Sequence, residues 1–154
     1  MRVSLLICVL LVGCVTSHEA HWQSYDGGPF TFSLPAGLHK TSERGIDSDV
    51  SAFDGPDMRV LFDYGVYSGK PLDSLRTDLD SLQPRPSYSS HIERIDGHDV
   101  EIVSVDVRRD RNPFEHFVEA SYLNNGLVMV AWCKKTADYE AAIQISRSVR
   151  FKQH

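Results

Sequence analysis

Short segments in which apolar and polar residues alternate, separated by turn sequences, most constrain the fold of this chain. Phe30, Phe32 and Leu34 alternate with polar residues, and Asn124-Asn125-Gly126 lies between two such segments. Alternation with period two predicts a half-buried strand, and an Asn-Gly step between two strands is a strong hairpin signal. The pattern therefore predicts a mainly antiparallel sheet. The predicted strands are 21–25, 30–34, 38–44, 50–53, 58–67, 91–95, 100–108, 114–123, 127–133 and 148–151.

Two segments instead carry apolar residues at helical spacing. After Pro71, leucines recur through Leu82, and Pro84 ends the pattern. A second helix is predicted to begin with Thr136 as its N-cap. Its apolar stripe comprises Tyr139, Ala142, Ile143, Ser146 and Val149. The predicted fold class is α+β, a single domain with a central, mainly antiparallel sheet flanked by helices.

Charge and cysteine content exclude several classes of protein. The 154 residues contain 16 Lys and Arg against 21 Asp and Glu, a formal net charge of −5. Nucleic-acid binding is not expected, because the phosphate backbone is bound mainly by surplus cations. Three cysteines are too few for a disulfide scaffold or a four-cysteine zinc site.

The N-terminus has the proportions of an export signal. Arg2 precedes an apolar run over residues 3–13, which is shorter than the roughly 20 residues that a membrane-spanning helix needs. The run ends in Leu11-Val12-Gly13-Cys14. This tetrapeptide resembles the lipobox of bacterial lipoproteins at all four positions.

That resemblance implies a lipid anchor on Cys14. The thiol would carry diacylglycerol, residues 1–13 would be removed as a signal peptide, and the new amino group would be acylated, for example with palmitate. Several acyl chains anchor a protein stably, whereas one holds it only marginally. Residues 14–21 would then form a tether and residues 22–154 the folded domain. Val15 stands where Asp would retain the protein at the inner membrane, so the resemblance implies the outer membrane.

A second resemblance covers the folded domain, about residues 22–151. Residues 27–38, Gly-Gly-Pro-Phe-Thr-Phe-Ser-Leu-Pro-Ala-Gly-Leu, are similar to the entry sequence of PsbP-like, or MOG-type, domains. Residues 95–100 resemble a turn of that family, and residues 141–151 resemble its closing segment. Leu38 replaces the usual Trp, and Val100 replaces a small residue. The resemblance implies an α/β/α sandwich, and members of the family are mostly non-catalytic binding or assembly factors.

Possible metal ligands occur in two places. His18, Glu19 and His21 cluster in the tether, where a polar leader is the alternative explanation. An acidic stretch could hold calcium but lacks the spacing of an EF-hand loop, so solvated turns are the alternative. The stretch comprises Asp47, Asp49, Asp54 and Asp57.

The sequence gives even less support for a catalytic site than for a metal site. His91 and His98 flank the turn at Asp96-Gly97 and could approach each other across a hairpin, but surface histidines are the favoured interpretation. His116 and Glu119 lie three apart on a predicted strand, so their side chains are expected on opposite faces. Cys133 shares the apolar face of its strand, which favours a buried structural thiol over a nucleophile. No catalytic residue, metal site or cofactor is predicted.

Two sets of side chains suit partner binding. Arg108, Arg109 and Arg111 cluster in one loop, and arginine is enriched at interfaces. Salt bridging to nearby aspartates is the alternative. The aromatic set Tyr64, Tyr67 and Tyr88 suits an interface or the edge of a core.

The sequence thus predicts a lipoprotein on the periplasmic side of the outer membrane. We expect it to hold a protein partner without catalysis, as an assembly or envelope-maintenance factor. One alternative is an immunity protein that neutralises a toxin delivered to the periplasm. A second alternative is binding of a small ligand or a metal.

Overall fold

The computed structural model describes residues 21–45, 48–66, 68, 87–106 and 114–153. They form ten strands and one helix. The strands are β1 (Trp22–Asp26), β2 (Phe30–Pro35), β3 (His39–Lys40), β4 (Asp49–Asp54), β5 (Met58–Tyr64), β6 (Ser87–Ile95), β7 (His98–Asp106), β8 (His116–Tyr122), β9 (Leu127–Cys133) and β10 (Arg150–Phe151). The helix α1 spans Thr136–Arg147.

The strands form two sheets in which every pairing is antiparallel. The small sheet has three strands in the order β1-β2-β10. The large sheet has seven in the order β3-β4-β5-β9-β8-β7-β6, which makes β3 and β6 its edges. The predicted antiparallel sheet is therefore confirmed.

The core lies between the two sheets. Phe30, Phe32 and Leu34 of β2 are at most 1% exposed, as the alternation predicted. The two phenylalanine rings pack against rings of the large sheet. The ring centroids of Phe30 and Phe62 are 5.2 Å apart, and those of Phe32 and Phe53 are 5.9 Å apart. Edge-to-face geometry of this kind adds to the burial energy of aromatic pairs.

Helix α1 closes the same side of the large sheet. It contacts β8, β9 and β2, and it buries Ala142, Ile143 and Ile145. Thr136 is the first helical residue and not the N-cap that the sequence predicted, because the extended Lys135 occupies the cap position. The Lys135 carbonyl accepts a hydrogen bond from the Asp138 backbone N–H.

Two tight turns connect the strands of the large sheet. Asp96 and Gly97 have φ of 50° and 83° and join β6 to β7, and such paired positive values define the turn that favours Asp-Gly. Asn124 and Gly126, with φ of 69° and 63°, join β8 to β9. Both predicted hairpins are confirmed.

Other boundaries differ from the predicted ones. The described residues are dominated by sheet, with a single helix, whereas the sequence predicted a sheet flanked by helices. The helix predicted over residues 71–82 lies outside the described residues. The edge strand β6 begins at Ser87 rather than at His91, because its first residues are polar and give no alternating signal. None of the helices in the described part of the chain is long and apolar enough to cross a membrane.

Candidate functional site

A cavity of about 290 Å³ opens between α1 and one end of the large sheet. We call it the Ser104 cleft. It is lined by Ser87, Tyr88, Ser89, Ser104, Val105, Asp106, His116 and Tyr139. Strand pairing assembles it, since Ser104 lies opposite Ser89 and Asp106 lies opposite both Ser87 and His116.

Hydroxyl groups form the inner wall of the Ser104 cleft. The Ser104 hydroxyl lies 2.6 Å from the hydroxyl of Tyr139, which α1 projects toward the sheet. Ser104 is 8% exposed, so this hydrogen bond satisfies a buried polar group. The contact between the two hydroxyls suits the cleft to polar recognition.

The imidazole of His116 and the carboxyl group of Asp106 lie close together in the lining of the cleft. His116 Nδ1 lies 3.5 Å from Asp106 Oδ1, and the two side chains are 16% and 31% exposed. Cys133 lies opposite His116 on β9, but its Sγ is directed at the Asp138 carbonyl oxygen, 3.6 Å away. Burial, with a smaller effect from Asp138, raises the pKa of the Cys133 thiol to about 12. The thiol is therefore held protonated, as the sequence favoured.

The Ser104 cleft also marks where the chain enters and leaves residues 107–113. Asp106 ends β7, and Phe114 and Glu115 lead back to His116 at the start of β8. Arg108, Arg109 and Arg111 belong to this seven-residue connection and lie outside the described residues.

The structure separates the tyrosines that the sequence grouped. Tyr64 is half-buried, with its ring 5.7 Å from that of Phe30, so it packs at the edge of the core. Tyr88 is 37% exposed on β6, at the opposite end of the large sheet. Tyr67 lies outside the described residues. The tyrosines therefore form no single patch in the described structure.

His91 and His98 do not meet across the hairpin, an approach that the sequence left possible but did not favour. His91 lies opposite Ile102 and His98 lies opposite Ile95, which separates them by about 13 Å along the strands. The His98 ring instead packs 4.7 Å from that of Phe151, and His91 Nε2 lies 3.8 Å from Glu93. His116 and Glu119 do lie on opposite faces of β8, as predicted.

Two aspartates of the acidic stretch form ion pairs on the surface. Asp54 Oδ1 lies 3.6 Å from Arg59 Nε, and Asp57 Oδ1 lies 3.8 Å from Lys135 Nζ. Asp49 is exposed on β4. Asp47 lies outside the described residues, as do Cys14, His18 and Glu19, while His21 is exposed. Among the residues that the structure describes, no three His, Cys, Asp or Glu side chains are grouped to hold a metal ion.

Sequence reasoning missed Ser104 and placed Tyr139 only in the apolar stripe of its helix. Ser104 interrupts the apolar run of β7, which was the one available signal for it. Glu119 is 9% exposed on the other face of the large sheet, and burial raises the pKa of its carboxyl. A second cavity, of about 410 Å³, is lined by residues 40–45 and 48–51, but its walls are mainly exposed loop.

The comparison with solved structures identifies the class of fold. The solution structure of cyanobacterial PsbP (CyanoP) from Synechocystis sp. PCC 6803 is similar over 92% of this chain and 99% of that one. The TM-score is 0.57 and the sequence identity is 15%. The chain therefore has a PsbP-like fold, as the sequence resemblance implied. No family model matches the sequence, and no curated protein matches it either.

Proposed function

We propose that this chain is a lipid-anchored envelope protein that binds a protein partner at the Ser104 cleft without catalysing a reaction. The anchor rests on the lipobox-like Leu11-Val12-Gly13-Cys14, and the acylated Cys14 would hold the domain on the periplasmic side of the outer membrane. A PsbP-like fold is compatible with this role but does not establish it.

The geometry of the cleft carries the proposal. Its hydroxyls, its carboxylate and its imidazole are arranged for hydrogen bonding, and Ser104 is engaged by Tyr139. Hydrogen-bonding groups of this kind suit the polar rim of a protein interface.

The anchor is tested with Cys14→Ser. The wild-type chain, expressed in a two-membrane bacterium, is expected to incorporate radiolabelled palmitate and to sediment with outer membranes. Cys14→Ser should lose both properties, whereas Cys133→Ser should retain both because its thiol is buried. Label that persists on Cys14→Ser would contradict the proposed anchor.

The partner is tested by crosslinking and affinity capture from whole envelopes, followed by mass spectrometry. We expect one stoichiometric protein with the wild-type chain. His116→Ala removes a side chain that lines the cleft and should lose that protein. His39 is an exposed histidine on β3 outside the lining of the cleft, so His39→Ala should retain it. Failure to recover a protein that depends on His116 would contradict the proposal. A toxin as the captured protein would identify the immunity function.

A further inference from the structure

Strand β1 forms an open edge of the small sheet. All five of its residues pair with β2 in one continuous register. It contains no lysine, no proline and no bulge, the devices that natural proteins use to prevent edge strands from pairing. Four of its residues are exposed, and among the described residues no strand lies beyond it.

The backbone geometry shows which groups of β1 point outward. The Ala36 N–H donates a hydrogen bond of 2.6 Å to the His21 carbonyl, so the backbone groups of His21 face β2. Backbone groups alternate along a strand, so those of Trp22, Ser24 and Asp26 point away from β2. In the described part of the chain, no other element forms a backbone hydrogen bond with these three residues on that side.

The side chains of the same three residues lie on the outer face of the small sheet. The ring centroid of Tyr25 is 4.5 Å from that of Phe53 in the core, and side chains alternate along a strand. Trp22 is 39% exposed on the outer face. At the other end of β1, the Asp26 carboxylate lies 2.7 Å from Lys152 Nζ, and the two side chains are 68% and 41% exposed. An exposed ring and an accessible ion pair therefore stand at the two ends of one open edge.

We propose that a second copy of this chain pairs with β1 through an antiparallel, two-fold symmetric register centred on Ser24. Ser24 is the middle residue of Trp22–Asp26, so only this register pairs the strand over its full length. The outward N–H and C=O groups of the two Ser24 residues bond to each other, and those of Trp22 bond to Asp26 of the second copy. The two small sheets then join into one continuous sheet.

Charge complementarity favours a second copy as the occupant. The register places the indole of Trp22 opposite Asp26 of the second copy, beside the ammonium group of Lys152 of that copy. The indole N–H can donate to the carboxylate, and the ring can accept the ammonium group in a cation–π contact. These contacts occur twice by symmetry. The other pairs of the register join uncharged side chains, with Gln23 opposite Tyr25, so no like charges face each other.

Disulfide trapping tests the register. The full-length chain is expressed in a two-membrane bacterium, and the cells are treated with an oxidant. Ser24→Cys sets two residues opposite each other with Cα atoms about 5.5 Å apart, within the range that a disulfide spans. We expect the oxidant to convert most of this variant to a dimer that reductant reverses.

A second serine on the same face provides the matched control. Ser33 lies opposite Ser24 on β2, so the two Ser33 residues of the proposed dimer are three strand spacings apart, about 14 Å. Ser33→Cys should therefore form no direct disulfide. The parent chain controls for disulfides through its own cysteines.

A further pair of variants tests the contacts across the edge. Trp22→Ala removes both symmetric contacts of the indole and should lower the trapped fraction of Ser24→Cys roughly tenfold. Leu123→Ala, at a large apolar residue of nearly equal exposure (37%) outside β1, should leave that fraction unchanged. Equal trapping through Ser33→Cys, trapping that Trp22→Ala does not alter, or no trapping with Ser24→Cys would each overturn the proposal. None of these results depends on a lipid on Cys14 or on the partner captured at the Ser104 cleft.

Discussion

Glu119 is a carboxylate in the middle of the large sheet, on the face opposite α1. It lies between Val103 of β7 and Val130 of β9, and its Oε1 accepts a hydrogen bond of 3.2 Å from the Ser121 hydroxyl. Burial is the largest cause that raises its pKa above the usual 4.5, and the nearby Glu101 adds to it. One hydroxyl does not offset the desolvation of a charge.

The raised pKa predicts that Glu119→Gln stabilises the protein. The folded state holds the proton at pH values where the unfolded chain has lost it, so the wild-type chain loses stability as pH rises from 4.5 through the folded pKa. At pH 7, Glu119→Gln should raise the free energy of unfolding by on the order of 1 kcal/mol, and the gain should shrink toward pH 4.5. Urea unfolding at pH 7 and at pH 4.5 measures the free energy of unfolding of both chains. Glu115 is an exposed carboxylate just before the same strand, so Glu115→Gln should change the free energy of unfolding by less than about 0.5 kcal/mol.

Cys133 illustrates how burial controls reactivity at a single residue. Its pKa of about 12, against 9.0 for an ordinary thiol, leaves about a thousandfold fewer thiolates at pH 8. We expect thiol reagents to modify Cys133 only after the chain unfolds. The measurement compares labelling in buffer with labelling in guanidinium chloride, with Cys133→Ala to identify the site. Rapid labelling of the folded chain would contradict this prediction.

At the scale of elements, the Asp96-Gly97 turn sets the register in which β6 pairs with β7. Gly97 has φ of 83°, which a residue with Cβ adopts at a cost, and Asp96 also accepts a hydrogen bond of 2.7 Å from the Phe151 N–H. Gly97→Ala should lower the free energy of unfolding by about 1–2 kcal/mol. Gly97→Asn should lower the free energy of unfolding by less, since Asn tolerates this conformation. Equal losses of stability for Gly97→Ala and Gly97→Asn in thermal melts would show that the positive φ of Gly97 is not the cause.

Elements with a periodic apolar face were predictable from the sequence, and those without one were not. β2, β8 and β9 bury the apolar residues that their alternation indicates, and α1 buries Ala142, Ile143 and Ser146 of its predicted stripe. β6 is exposed along most of its length, so its first four residues gave no signal. The Ser104 cleft could not be predicted, because it joins β6, β7, β8 and α1, and their adjacency is a property of the tertiary fold.

At the scale of the whole molecule, the two sheets share one core, so we expect them to unfold together. Phe32 of the small sheet is 1% exposed and packs against Phe53 and Phe62 of the large sheet. Removing either sheet would expose the aromatic residues of the other. Phe32→Ala should therefore lower the free energy of unfolding of the entire domain by about 3–5 kcal/mol.

The two tryptophans report on the two sheets separately. Trp22 lies in β1 of the small sheet, and Trp132 lies in β9 of the large sheet, with its ring 5.9 Å from that of Phe117. Trp22→Phe and Trp132→Phe each leave one reporter. We expect their fluorescence transitions in urea to coincide with each other and with circular dichroism, as in a two-state transition. An earlier transition in the Trp132→Phe chain, where Trp22 alone reports, would mean that the small sheet detaches first and that the aromatic contacts between the sheets do not couple them.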